Sequence, residues 1–114
     1  MSALSPPPGV DPTSTLKLVA RHLVAAEACA LRAAATTPDL GDVAVGAALR
    51  TSQVLSLLPP EEVVDDVATP HGDDVGALLR AAEQLIRAHP IEAFPPGTSA
   101  FVADLCDLIA QVPA

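Results

Sequence analysis

Any chemistry in this chain has to come from three histidines, two cysteines and one short acidic run. Residues 59–75 read PPEEVVDDVATPHGDDV and place six carboxylates and His71 in seventeen positions. Carboxylates that converge beside a histidine are what a hard divalent cation or an acid/base pair requires. His71, Asp73 and Asp74 are therefore the candidate metal ligands. Their spacing argues for a plainer role. Glu61 and Glu62 follow Pro60 as acids follow a proline in the first turn of a helix, where the positive end of the dipole favours them. Asp73 is placed to cap the next helix and Asp74 to sit in its first turn. Asp65, Asp66 and His71 are left over. They lack the alternating acids and closing Glu of an EF-hand, and the three or four His or Cys ligands of a zinc site. The expectation is helix capping, with no metal and no other cofactor.

The remaining candidates are His22, Cys29, Cys106 and His89. His22 and Cys29 lie seven residues apart on one side of a first helix, a rise of about 10 Å. That is too far for the thiolate–imidazole hydrogen bond of a Cys–His nucleophile. Cys106 sits on a similar flank of the last helix and could meet His22 or His89 across a bundle. His89 stands on the apolar side of a helix's last turn, before Pro90, where the dipole favours a cation. The four together are the candidate lining of a ligand pocket. The simpler expectation is two small buried thiols and two structural histidines. No GxSxG, HExxH or CxxC occurs, and the six glycines are dispersed rather than gathered in a phosphate-cradling loop. Glu27, Glu83 and Glu92 do not supply the inward Glu and Glu-x-x-His set of a carboxylate-bridged metal bundle. No catalytic residue is assigned, and an enzyme is the less favoured reading.

The elements that would position these groups are helices. Pro12 suits a first helical position after Asp11, with Asp11 or Thr13 as cap, and the helix runs to about Ala35. Its main apolar stripe is Leu16, Val19, Leu23, Ala26 and Ala30. Lys17, Arg21 and Arg32 align on the opposite side, while Val24 and Leu31, one heptad apart, fall outside the main stripe. A second helix is expected from Thr37 as cap, through Pro38 and Asp39, to Leu58, where Pro59 and Pro60 stop it. Leu40, Ala44, Ala47, Thr51, Val54 and Leu58 make a seam with small residues at its middle, suited to close antiparallel packing. A third helix covers about Asp73–His89, with Val75, Leu78, Leu79, Ala82, Leu85 and Ile86 on one face and a Glu83–Arg87 pair on the other. The last begins at Thr98 or Ser99, ends near Val112, and buries Phe101, Leu105 and Leu108. No segment alternates with period two and no repeat emerges. The fold class is all-α: a compact antiparallel bundle of four main helices plus one short helix near residues 60–68, in a single domain over 11–114 after a flexible Pro-rich tail over 1–10.

Composition narrows the function. The chain has 114 residues, half of them apolar, but the apolar half is mostly Ala, Val and Leu, with two Phe, no Tyr and no Trp. The net charge of −8, from fourteen acids against six bases, opposes a row of phosphates, and aromatic platforms for single strands are missing. A nucleic-acid role is not expected. The longest apolar stretch is broken by charges, so no membrane span is expected. An uncharged, Pro-rich N-terminus and two cysteines without a disulfide framework point to the cytoplasm, and the Ala-, Arg- and Pro-rich usage to a bacterial source. The reading is a small non-catalytic protein, regulatory or accessory, that acts through protein–protein contact and self-associates as a homodimer. The candidate interface is Val24 and Leu31 with Lys17, Arg21 and Arg32. The basic stripe is also expected to meet the acidic run of residues 61–74, within the bundle or across the dimer. Two alternatives stand beside it: a binder of a small apolar ligand in the bundle core, and a small enzyme using a His/carboxylate pair.

Overall fold

A computed structural model describes residues 12–58 and 74–112. The expected tail over 1–10, the short helix near 60–68, and the candidate ligands His71 and Asp73 lie outside the described residues. Four α-helices pack against each other: α1 (Pro12–Ala33), α2 (Leu40–Leu57), α3 (Val75–Arg87) and α4 (Thr98–Gln111), with a lone 3-10 turn at Ile91–Ala93. No strand occurs among the described residues. The all-α antiparallel bundle read from periodicity is the fold observed.

Prolines account for three of the helix boundaries. Pro12 opens α1 as its first residue, a position where its missing N–H and restricted φ cost nothing. Leu58, just before Pro59, is extended at φ −84° and ψ 148° and ends α2. Val112, just before Pro113, is extended and ends α4. Both follow from the clash between a proline ring and an α-conformed predecessor. Gly97 opens α4 from φ +100°, the left-handed region where a side chain is strained. The buried Thr98 hydroxyl then donates to the carbonyl of Pro95 at 2.8 Å.

Three boundary expectations are corrected. Thr37 does not cap α2. The amides of Leu40 and Gly41 donate to the carbonyls of Thr37 and Pro38 at 3.0 and 2.9 Å. This tight backbone turn supplies acceptors that the hydroxyl was expected to provide, so the helix starts at Leu40 after Asp39. Asp74, not Asp73, caps α3. Its backbone is extended and its carboxylate accepts from the amide of Ala77 at 3.2 Å, the reach of a cap to the third helical residue. His89 lies two residues beyond the end of α3 rather than in its last turn.

The order of helices round the bundle decides which faces are covered. α1 packs on α2 and α3, and α4 packs on the same two, so α1 and α4 are diagonal. The core carries Leu16, Val19 and Leu23 from α1, Val43 and Val54 from α2, Leu79 from α3, and Phe101 and Leu105 from α4, all essentially without exposure. Ala20, Ala26 and Ala30 share this core with Ala44 and Ala47. With so few large side chains, close helix approach fills the volume that aromatics fill elsewhere. At Gly46 a Cβ would stand 2.5 Å from Leu108 Cδ1, so α4 packs close against α2 here and any larger residue would require the Leu108 side chain to shift.

Candidate functional site

The titratable candidates are each occupied in structural contacts. His22 donates from Nδ1 to the carbonyl of Leu18 at 2.8 Å, one turn back along its own helix. Cys29 is buried against the core. His89 shares a 3.0 Å hydrogen bond between its Nε2 and the hydroxyl of buried Thr15 on α1. The His89 ring also stands edge-on to Phe94, with centroids 5.7 Å apart. That pair ties the end of α3 to the start of α1. Asp74 has its cap to make. Of the four residues read as a pocket lining, His89 alone borders a surface groove of about 250 Å3, with Ile86, Arg87, Ile91 and Val102.

Cys106 meets neither histidine. Its thiol donates to Glu83 Oε2 at 3.3 Å. Arg87 reaches the same oxygen through Nε at 2.7 Å and Nη2 at 2.6 Å. The Arg87 hydrogen bonds hold the Glu83 carboxyl below its ordinary range, against some opposing loss of hydration, with a smaller contribution from Cys106. Burial pushes the Cys106 thiol up, and donation to the Glu83 carboxylate pushes it further. A nucleophilic cysteine needs the reverse, a neighbour that favours the thiolate. This cluster therefore joins α3 to α4 and disfavours the reactive form of its own thiol. Among the described residues no group of three or more His, Cys, Asp and Glu could hold a metal ion.

A second polar contact joins α2 to α4. Gln53 Nε2 donates to Asp104 Oδ2 at 3.2 Å, and Arg50 Nη1 lies 3.8 Å from the same oxygen. Arg50 Nε and Gln53 Oε1 are buried there and find no hydrogen-bond partner among the described residues; a buried polar atom left so costs about 1–3 kcal/mol. Position, more than stability, is what this contact provides.

The apolar surface is distributed unevenly. Val24, Leu31, Val45, Leu49 and Leu55 are exposed, and all five belong to α1 and α2. Among the described residues only Ile91 is a large apolar side chain exposed elsewhere. Val45 and Leu31 keep 61% and 58% of their surface. Between α1 and α2 runs a groove of about 270 Å3 lined by Glu27, Leu31, Ala44, Val45, Ala48, Leu49 and Ser52. Exposed apolar residues gathered in this way mark contact surfaces, whereas scattered ones need no explanation.

Val24 and Leu31 are thus where the heptad argument placed them, outside the core. Val45 and Leu49 were missed, although α2 carried a signal. From Val43 to Leu58 its only charged residue is Arg50, so no charged face opposes its buried seam. Lys17 and Arg21 are half-buried and each has an interaction partner. Arg32 is exposed at the end of α1 and makes no ion pair with a described residue. No known protein family, curated protein or solved structure matches this chain.

Proposed function

We propose that this is a non-catalytic interaction protein, regulatory or accessory, whose working surface is the outer face of α1 and α2. One observation carries the reading: five of the exposed large apolar residues fall on two adjacent helices, and three of them, Leu31, Val45 and Leu49, line the groove between those helices. The arrangement of Cys106 and the structural contacts of His22 and His89 support it, because these polar candidates already serve packing. A protein partner of matching kind presents an apolar helical face, and another copy of this chain has one.

Native mass spectrometry of the chain purified from its own cells tests the reading, with the Val45→Glu/Leu49→Glu variant alongside. The unaltered chain should appear in assemblies, and the variant should be stripped of them while keeping its helical circular dichroism. A folded variant that retains every assembly would overturn the proposal.

A further inference from the structure

Charge around the α1/α2 face specifies how a second copy would sit on it. Resting on the reading of this face as the working surface, we infer that two copies pair about a two-fold axis lying in the interface and running along the helices. α1 of one copy then lies over α2 of the other, and Arg32 of each meets Asp42 of the other.

α1 and α2 run antiparallel, joined by only residues 34–39, and the groove places Leu31 beside Ala44, Val45 and Ala48. The C-terminal end of α1 is therefore level with the N-terminal end of α2. On α1, taking 100° per residue, Val24 and Leu31 point outward beside the groove, and Arg21 and Arg32 follow at the outer edge. On α2, Val45 and Ser52 point outward, and Leu49 and Asp42 follow at its outer edge. Arg32 and Asp42 are both exposed, and neither makes an ion pair with a described residue. They are at one level on opposite rims of a single face.

Only two face-to-face two-folds lay helices on helices here. An axis across the helices sets α1 antiparallel on α1 and carries Arg32 of one copy to the end of the face away from Asp42 of the other. An axis along the helices carries Arg32 of one copy onto Asp42 of the other. Symmetry makes the Arg32–Asp42 contact twice. The area is sufficient. Helices of 22 and 18 residues present a face about 30 Å long and about 20 Å wide. Its flat projection, about 600 Å2, approaches the roughly 800 Å2 of rugged surface that each member of a stable pair buries.

Sedimentation of the full chain at low salt tests this geometry. The unaltered chain should be a dimer at micromolar concentration. Arg32→Glu or Asp42→Arg alone should weaken association by about tenfold or more, since each replaces two attractions with two repulsions. Arg32→Glu with Asp42→Arg together should restore it. If a reversed variant loses its helical signal, Arg32→Ala and Asp42→Asn serve instead, each expected to weaken the dimer by a few fold. A chain that stays monomeric at about 100 µM would refute the pairing, since that concentration lies far above a typical stable dimer's dissociation constant. A double reversal that fails to restore association, in a dimer that Val45→Glu/Leu49→Glu still dissociates, overturns this geometry and leaves the face itself in place.

Discussion

The α3/α4 half and the α1/α2 half of the bundle are built from similar apolar residues, yet they leave different surfaces. In α3 the apolar and polar faces are separate. Val75, Leu78, Leu79, Ala82 and Ile86 are buried, while Arg80, Gln84 and Arg87 are exposed. The half-buried Glu83 is closed over by Arg87 and Cys106. This half finishes at its own surface. α1 and α2 are apolar on more than one side. The bundle covers one side of each, and Val24, Leu31, Val45 and Leu49 remain outside. A helix that is apolar on several sides is stable when it is surrounded, and among the described residues each helix packs chiefly on two others.

The largest expected effect tests the finished half. Phe101, fully buried, is the largest side chain in the core, and Phe101→Ala should lower unfolding free energy by about 3–5 kcal/mol. A marginal domain has only about 5–15 kcal/mol in total, so the variant should melt far below the unaltered chain in a urea titration. Leu49→Glu makes the contrast. It should leave the stability of the monomer within about 0.5 kcal/mol while removing association. A loss comparable to that of Phe101→Ala would mean that Leu49 is core, and the distinction between the halves would fail.

Of intermediate size is the cap of α3. Asp74→Ala removes the acceptor for Ala77 N–H and should cost about 1 kcal/mol in the same titration. The smallest effect concerns the α3–α4 polar contact and depends on pH. Glu83 is held below its ordinary carboxyl range in the folded chain. Its contribution is therefore present above the ordinary range and is lost as pH falls through the lowered folded value. Glu83→Gln should be modestly destabilising at neutral pH and indistinguishable from the unaltered chain in strong acid. Cys106, pushed up, contributes below the ordinary thiol range and loses that contribution as pH rises through its raised value. Alkylation of Cys106 should accordingly be slow at neutral pH and faster in the Glu83→Gln variant. Equal rates in both would remove the carboxylate from the account of this thiol.

How much was legible before the structure differs by residue. The ends of α2 and α4 could be read from Pro59 and Pro113, because proline constrains its predecessor locally. The seam of α2 could be read too: Ala44, Ala47 and Val54 are buried as their spacing required. Thr37 was misread because its rival for capping was the backbone of the same turn, whose carbonyls reach Leu40 and Gly41. Side-chain preference alone does not reveal that competition. The partner of Cys106 was not legible. Glu83 is 23 residues away, and its Arg87 pair looked complete within one helix.

The all-helical class, the stops of α2 and α4, and the surplus of apolar residues on α1 were all legible in the sequence. Each follows from spacing or from a local steric rule, and none depends on what lies across the bundle. That α1 neighbours α2 and α3 but stands diagonal to α4 is set by packing between helices distant in sequence. That order covers Val43 and Val54 and leaves Val45 and Leu49 bare, although all four are aliphatic residues of one helix. The helical repeat says which residues share a side. Which side receives a neighbour depends on packing between elements distant in sequence, and for α2 that choice left the apolar side opposite its core exposed.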